Sequence, residues 1–357
     1  MEQTERQLFS LLSEITPLYE APMREARARQ DALAKPPGSL GLLEDLSIQL
    51  AGITGHVKNE VTRTRIYVLA ADNGVVCEGV SSAPQSVTRA QAINLTRGLT
   101  GASCLAKHFG DELIVVDMGI ALPYACPEIV NRSLGKGTAN IAAGPAMARQ
   151  TAVRGILTGM ELAARAKQDG VQLLGVGEMG IGNTTTSSAV ASVLLGRPVA
   201  EMTGRGAGLS DAGLHRKIDA IERGIARNHP DAADPLGVLA ALGGFDIAGL
   251  CGVFLGGALE RLPIVMDGFI SGVAALCAVR LCPAAEKTVF ASHVSSEPAA
   301  HIVLDTLCKK PLITAELHLG EGTGAVASLP LWDMALAVYN GCYSFAEGGI
   351  TPYTPQC

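Results

Sequence analysis

The chain has 357 residues, a formal net charge of −6 and 48% apolar residues, with a mean hydropathy of +0.28. Such a composition excludes a mostly disordered chain and supplies a sizeable core, for two or three domains or one large α/β domain with an appendage. No Lys/Arg cluster exceeds two residues and aromatics are only 4%, which argues against nucleic acid as a partner, whether in a basic groove or on a stacking platform.

The first 60 residues read as helices. Leu8, Leu11, Leu12 and Ile15 recur at helical spacing. After the breaker Lys35-Pro36-Pro37-Gly38, Leu42, Leu43, Leu46, Leu50 and Ile53 do so again, with Ser39 as the expected N-cap. The opening stretch Met1 to Phe9 is acidic and polar, unlike a secretory leader, so a cytoplasmic protein is expected.

From residue 65 the texture changes. Short apolar runs, several ending in Asp or Gly, alternate with helical stretches: Ile66 to Asp72, Leu113 to Asp117, Val171 to Gly177, Pro263 to Gly268 and, more weakly, Thr288 to Phe290. This predicts an α/β fold, a Rossmann-like, mostly parallel sheet flanked by helices. Ligands bind outside the carboxyl ends of such strands. The site is therefore expected from Asp72-Asn73-Gly74, Gly175 to Thr186, Asp267-Gly268 and Ser292-His293.

The longest apolar run, Ile247 to Leu259, has 13 residues, short of the roughly 18–20 that span a bilayer, so no membrane segment is expected. Beyond residue 310 the pattern is helical again, from Pro330 to Tyr343, and the tail Ile350 to Cys357 reads as loose. Both termini are expected to form a smaller helical subdomain, residues 1–60 and 311–357, beside a large α/β domain, residues 61–310. The nine cysteines lack any C-x-x-C pair and read as small buried hydrophobes of a reducing compartment. The seven histidines show no metal-ligand spacing.

Three constellations carry possible chemistry. Gly175, Gly177 and Gly180 spell G-x-G-x-x-G, with Glu201 further on, and two functional readings compete. One is the dinucleotide turn of an NAD-dependent dehydrogenase, with Glu178 inside the turn. The other is an anion cradle, because Gly182, Asn183 and Thr184 to Thr186 open a helix; against both stands tight strand–helix packing that binds nothing. Gly204, Gly206 and Gly208 precede a helix carrying Lys217; Lys217 is either a phosphate-binding point charge over a nest of N–H groups or a solvated helix residue. Glu321 lies between Gly320 and Gly322, as a presented general base or as a helix-capping loop residue. His293 reads as a residue that bonds its neighbours, and Ser295 or Ser296 with Glu297 as helix N-terminal capping.

Taken in order, nine segments resemble one family. They are Lys35 to Gly41, Ala71 to Val80, Pro84 to Thr88, Gly137 to Ile141, Gly177 to Thr185, Gly243 to Asp246, Met266 to Phe269, Ser292-His293 and Gly320 to Gly324. The chain resembles the nicotinate-nucleotide:dimethylbenzimidazole phosphoribosyltransferases from about residue 30 to 345. The resemblance implies a base exchange at ribose C1′. Nicotinate mononucleotide and 5,6-dimethylbenzimidazole, or a related base, give α-ribazole 5′-phosphate and nicotinate. It makes Glu321 the general base, and Glu178 is the candidate for stabilising positive charge on the ribose. Phosphate contacts would come from glycine N–H groups, Gly180, Gly204 and Gly206 among them, and from Lys217. Asn183, Thr184, Asp267 and Ser292 complete the expected substrate contacts. Ala83, Gln91 and Met179 match the family's base pocket. The scheme uses no metal and no cofactor, and the family implies a homodimer. Where Asp-His-Gly is expected, this chain has Asp72-Asn73-Gly74, so Asn73 reads as a structural turn residue. A silent nucleotide- or base-binding paralogue is the remaining alternative, against which the presence of Glu321 argues.

Overall fold

The computed structural model describes residues 2–353; the end of the tail, with Cys357, lies outside the described residues. The strands are β1 Thr64–Ala71, β2 Glu112–Gly119, β3 Val130–Asn131, β4 Leu173–Met179, β5 Ile264–Met266 and β6 Val289–Ala291. Among the described residues they form one sheet, in the order β3-β2-β1-β4-β5-β6, with every pair parallel. This is the expected Rossmann-like α/β fold. The two-residue β3 is too short to leave a pattern.

Alternate residues of a strand face opposite sides. Ile66, Val68 and Ala70 join one core with Leu46, Val326 and Trp332. Tyr67, Leu69 and Ala71 join the other with Ile156, Leu250 and Val253. Both faces are buried, which is why the strands read as continuous apolar runs. At the amino edge Arg65 is 4% exposed and is held by Glu112 at 2.7 Å and Asp169 at 2.9 Å.

The helices are α1 Gln3–Ser13, α2 Glu20–Ala32, α3 Leu42–Thr54, α4 Ser86–Thr96, α5 Gly101–Phe109, α6 Arg149–Gln168, α7 Asn183–Leu195 and α8 Val199–Met202. They continue with α9 Asp211–Asn228, α10 Pro235–Leu242, α11 Phe245–Leu259, α12 Phe269–Leu281, α13 Ala300–Thr306, α14 Thr323–Gly341 and α15 Phe345–Gly348. Helices α3, α4, α5 and α14 cover one face of the sheet; α1, α6, α7 and α9 to α12 cover the other. The apolar run from Ile247 is the buried α11, and no described helix is long and apolar enough to cross a membrane. Helices α6 and α11 touch backbone to backbone. A Cβ on Gly159 would run into the Gly249 carbonyl, and one on Gly252 into that of Ile156. Part of the glycine content is this contact.

Four local expectations change. Ser39 does not cap α3: the N-cap is Gly41 at φ 54°, a conformation suited to glycine. Glu44 instead accepts the Leu40 N–H at 3.1 Å. Ile15 lies beyond the end of α1. Helix α14 starts at Thr323 and carries Pro330 inside it. Of the described cysteines, Cys251, Cys277 and Cys282 are buried, whereas Cys77, Cys104 and Cys308 are exposed.

Candidate active site

A cleft of about 280 Å³ opens at the carboxyl ends of β4 and β5. Its walls are the start of α7, the segment around Gly206 and the turn before α14. Glu178, Asp267 and Glu321 line it, as do Ala83, Gln91 and Met179, and so do Gly180, Asn183, Thr184 and Gly206. Three expected residues are placed elsewhere. Ser292 is buried, and its hydroxyl donates to the Asp267 carbonyl at 3.2 Å. Ser295, three residues on, lines the cleft in its place. The Gly204 carbonyl turns away to accept from Lys217 at 3.0 Å, and Lys217 itself is fully buried.

The G-x-G-x-x-G run is not a phosphate turn. Gly175 pairs with Ile66 and Val265 inside the sheet, Gly177 pairs with Val68, and Glu178 belongs to β4. Glu201 is exposed on α8, 3.8 Å from Arg197. The dinucleotide reading is overturned, because periodicity alone does not separate strand glycines from turn glycines. Gly177 serves packing: a Cβ there would collide with the Gly322 amide, so its absence lets the turn before α14 press onto β4. The helix opening at Asn183 remains, with its N-terminus at the cleft. Asn73 is a turn residue, N-capping a short 3-10 helix, and its carbonyl accepts from Gln85 at 3.1 Å.

Glu178, Asp267, Glu297 and Glu321 line the cleft, and Asp246 stands just behind it. The Asn183 side-chain amide donates to Glu178 Oε2 and, at 3.0 Å, to Asp246 Oδ2. Asp246, at the start of α11, is fully buried and does not line the cleft. Burial, then the charge of Asp246, push Glu178 up to about 8. Burial likewise raises Asp246 to about 6, opposed by the Asn183 amide and by backbone N–H groups at the start of α11.

Glu321 sits at φ 62° between Gly320 at 82° and Gly322 at 85°. A non-glycine residue in the left-handed region stores strain and marks a functional candidate. It is 5% exposed. Gln91 Nε2 donates to its Oε1 at 3.1 Å, whereas Oε2 has no partner at hydrogen-bonding geometry. Burial raises its pKa, against the favourable pull of Thr100, Gln91 and the Ala102 N–H. The capping reading fails, since Asp267 caps α14: its oxygens accept the Gly322 N–H at 3.0 Å and the Gly324 N–H at 2.7 Å. His293 bonds its neighbour Ser292 at 3.0 Å, as expected, and lies 3.8 Å from Asp267.

Lys217 Nζ donates to Thr184 Oγ1 at 2.9 Å, beneath the cleft wall. It is neither solvated nor in contact with the cleft. Burial pushes it down to about 8. Glu297 does not cap α13, whose N-cap is Ala299. Its carboxylate accepts the Gly206 N–H at 3.0 Å and lines the cleft. His318 also lines the cleft, and sequence reasoning gave no site role to it, to Asp246 or to Glu297. Only the Gly-Gly-Phe-Asp segment carried a hint of Asp246.

A phosphoribosyltransferase family model matches residues 15–350. The chain is 47% identical over 349 residues to the nicotinate-nucleotide–dimethylbenzimidazole phosphoribosyltransferase of Acetivibrio thermocellus, covering 98% of this chain and 99% of that one. It is 47% identical to the enzyme so named from Chloroflexus aggregans, over 96% and 98% of the two chains. The crystal structure of CobT from Thermus thermophilus superposes with a TM-score of 0.89 at 40% identity, over 93% of this chain and 100% of that one.

Proposed function

The chain belongs to the nicotinate-nucleotide–dimethylbenzimidazole phosphoribosyltransferase family, and from that premise we propose its substrates and the division of labour in its cleft. The enzyme moves the 5-phosphoribosyl group of nicotinate mononucleotide to 5,6-dimethylbenzimidazole or a related base. The products are α-ribazole 5′-phosphate and nicotinate, in nucleotide-loop assembly of cobalamin. The observation that carries this assignment of roles is Glu321 itself, which lines the cleft at a left-handed φ of 62° with Gln91 donating to its carboxylate. A benzimidazole in the cleft would bring its N–H to this carboxylate.

One ring nitrogen of the base attacks C1′ while Glu321 takes the proton from the other. The C1′–N bond to the pyridinium breaks, and its electron pair neutralises the ring nitrogen, so nicotinate leaves as a carboxylate anion. Attack opposite the leaving group inverts C1′ and gives the α-nucleotide. Glu178, ionised at that moment, stabilises positive charge on the ribose. The start of α7 at Asn183 and Thr184 holds the phosphate, with Gly206 in the facing wall of the cleft. Lys217 acts from behind Thr184 as a charge one bond removed, a role supported by its 2.9 Å contact. Ala83, Gln91 and Met179 form the base wall, next to Glu321 through Gln91. Gly180 and Asp267, which line the cleft, are further proposed substrate contacts, with Ser295 in the place expected of Ser292.

The same reading includes a cytoplasmic homodimer, as the family resemblance implies. It divides the chain into a small subdomain of residues 1–60 and 311–357 and a large one of 61–310. Supporting that division, Arg29 donates to the Tyr339 carbonyl at 2.9 Å and Tyr339 to the Val57 carbonyl at 2.8 Å. The test is to give purified enzyme nicotinate mononucleotide and the base, then follow nicotinate release and the anomeric configuration of the product. Base-dependent nicotinate release with an α-product is expected. No release, or a β-product, would refute the assignment.

A further inference from the structure

We propose that Asp246 is a positioning residue for this reaction: it shares the Asn183 amide with Glu178, sets the charge of that glutamate, and makes nucleotide binding expel a proton from the pair. The inference rests on the function proposed above and adds a residue that never touches substrate.

Geometry carries it. One amide nitrogen serves both carboxylates, with Asp246 Oδ2 at 3.0 Å and Glu178 Oε2 on the other side. Two acids held that close in a buried site do not both ionise without cost. No cation offsets them: among the described residues neither Glu178 nor Asp246 forms an ion pair. The titratable groups that face the pair are further acids. Asp72 comes from the end of β1, Asp267 from the end of β5 and Glu321 from the turn before α14. His293 lies beside Asp267 rather than beside the pair. Lys217 of α9 is spent on Thr184 and the Gly204 carbonyl.

Which acid keeps the proton follows from the helix. Asp246 stands in the first turn of α11, where backbone N–H groups and the helix dipole favour its anion. Glu178 lies at the end of a strand with only the shared amide. Near neutral pH the empty cleft therefore holds Glu178 as a neutral acid beside ionised Asp246. Nicotinate mononucleotide brings a quaternary pyridinium nitrogen at C1′, and the transition state moves that positive charge to the ribose. Either cation favours ionised Glu178. Its proton passes to solvent as the nucleotide binds, and the carboxylate is charged when C1′ becomes electrophilic.

The test is calorimetric titration of the intact enzyme with nicotinate mononucleotide near pH 7, in buffers of different ionisation enthalpy. The wild type is expected to release a proton on binding, and Glu178→Gln to bind without that release. Asp246→Asn removes the neighbouring charge but leaves the burial of Glu178, so the pH window of proton release should move lower by about 1–3 units and release near pH 7 should shrink, with the acid limb of kcat/KM moving the same way. Wild-type binding without proton release overturns the inference, whatever the variants do. So does an Asp246→Asn enzyme with an unmoved release and pH profile. Absence of nucleotide binding by the wild type would instead strike the proposed function, and this inference with it.

Discussion

Asp267 and Gly324 are 57 residues apart in the chain, yet the aspartate accepts the glycine N–H at 2.7 Å. With the bond from Gly322 at 3.0 Å, this carboxylate at the end of β5 fixes the turn that aims Glu321. Asp267→Asn keeps the shape but offers one acceptor oxygen where the turn uses two. Loss of a cap costs about 0.5–2 kcal/mol. Thermal melts should show that loss. Turnover should fall while the nucleotide KM changes less, because the damage reaches the general base. Unchanged turnover would separate the cap from catalysis.

Lys217 is a buried cation with two neutral partners, Thr184 and the Gly204 carbonyl. Lys217→Met keeps the volume and removes the charge. It should raise KM for nicotinate mononucleotide more than it lowers kcat, since a remote charge attracts phosphate about equally in ground and transition states. Burial lowers the folded pKa from 10.5 to about 8. Below that value both folded and unfolded lysine are protonated and the native state bears the full desolvation cost. Between about 8 and 10.5 the native lysine is neutral while the unfolded one still binds a proton, so wild-type stability rises with pH. Melting temperatures of wild type relative to the variant should climb across that window. An unchanged KM would remove Lys217 from phosphate binding.

The strands were legible because parallel sheets bury both faces, so Ile66 to Ala71 reads as one apolar run. What remained hidden depends on chain path. Gly175 and Gly177 look like a turn because spacing does not report whether glycines pair in a sheet. The sequence puts Ser292 at the site and Ser295 in a helix cap, and only the backbone after β6 turns the first inward and the second to the cleft. Asp246 ends a family segment with no role of its own in the sequence, and only the fold sets it behind Glu178. Glu321 was legible for a local reason: the flanking glycines permit a left-handed turn, and the glutamate itself adopts one at φ 62°.

The base wall supplies a specificity test. Ala83 lines the cleft with Gln91 and Met179, and Gln91 in turn holds Glu321. Ala83→Tyr adds an aromatic ring to this wall. Competition among dimethylbenzimidazole, adenine and phenols should shift toward smaller or phenolic acceptors, with the nucleotide KM nearly constant. If a folded variant keeps the wild-type ranking, position 83 does not set base choice.

Glu321→Gln decides the chemistry. A neutral benzimidazole that attacks C1′ without losing its N–H proton becomes a cation, so proton removal during attack lowers the barrier. General-base catalysis of this kind contributes roughly 10²–10⁴-fold, and Gln keeps the size and the bond from Gln91 while losing the basicity. Turnover should fall by roughly that factor, 10²–10⁴. Burial raises the folded pKa of Glu321 above 4.5, so the acid limb of wild-type kcat should lie above the ordinary glutamate range and vanish in the variant. Stability supplies the control. With a raised folded pKa, the protonated acid contributes stability below the unfolded value of 4.5, and that contribution is lost as pH rises through the folded pKa. At neutral pH the ionised Glu321 faces other acids, which the neutral Gln does not. The variant should therefore melt higher than wild type near pH 7, by a margin that closes in acid, while being the poorer catalyst. Near-normal turnover in a folded Glu321→Gln enzyme would refute the base role. A melting point at or above that of wild type would show that lost activity is lost chemistry rather than lost fold.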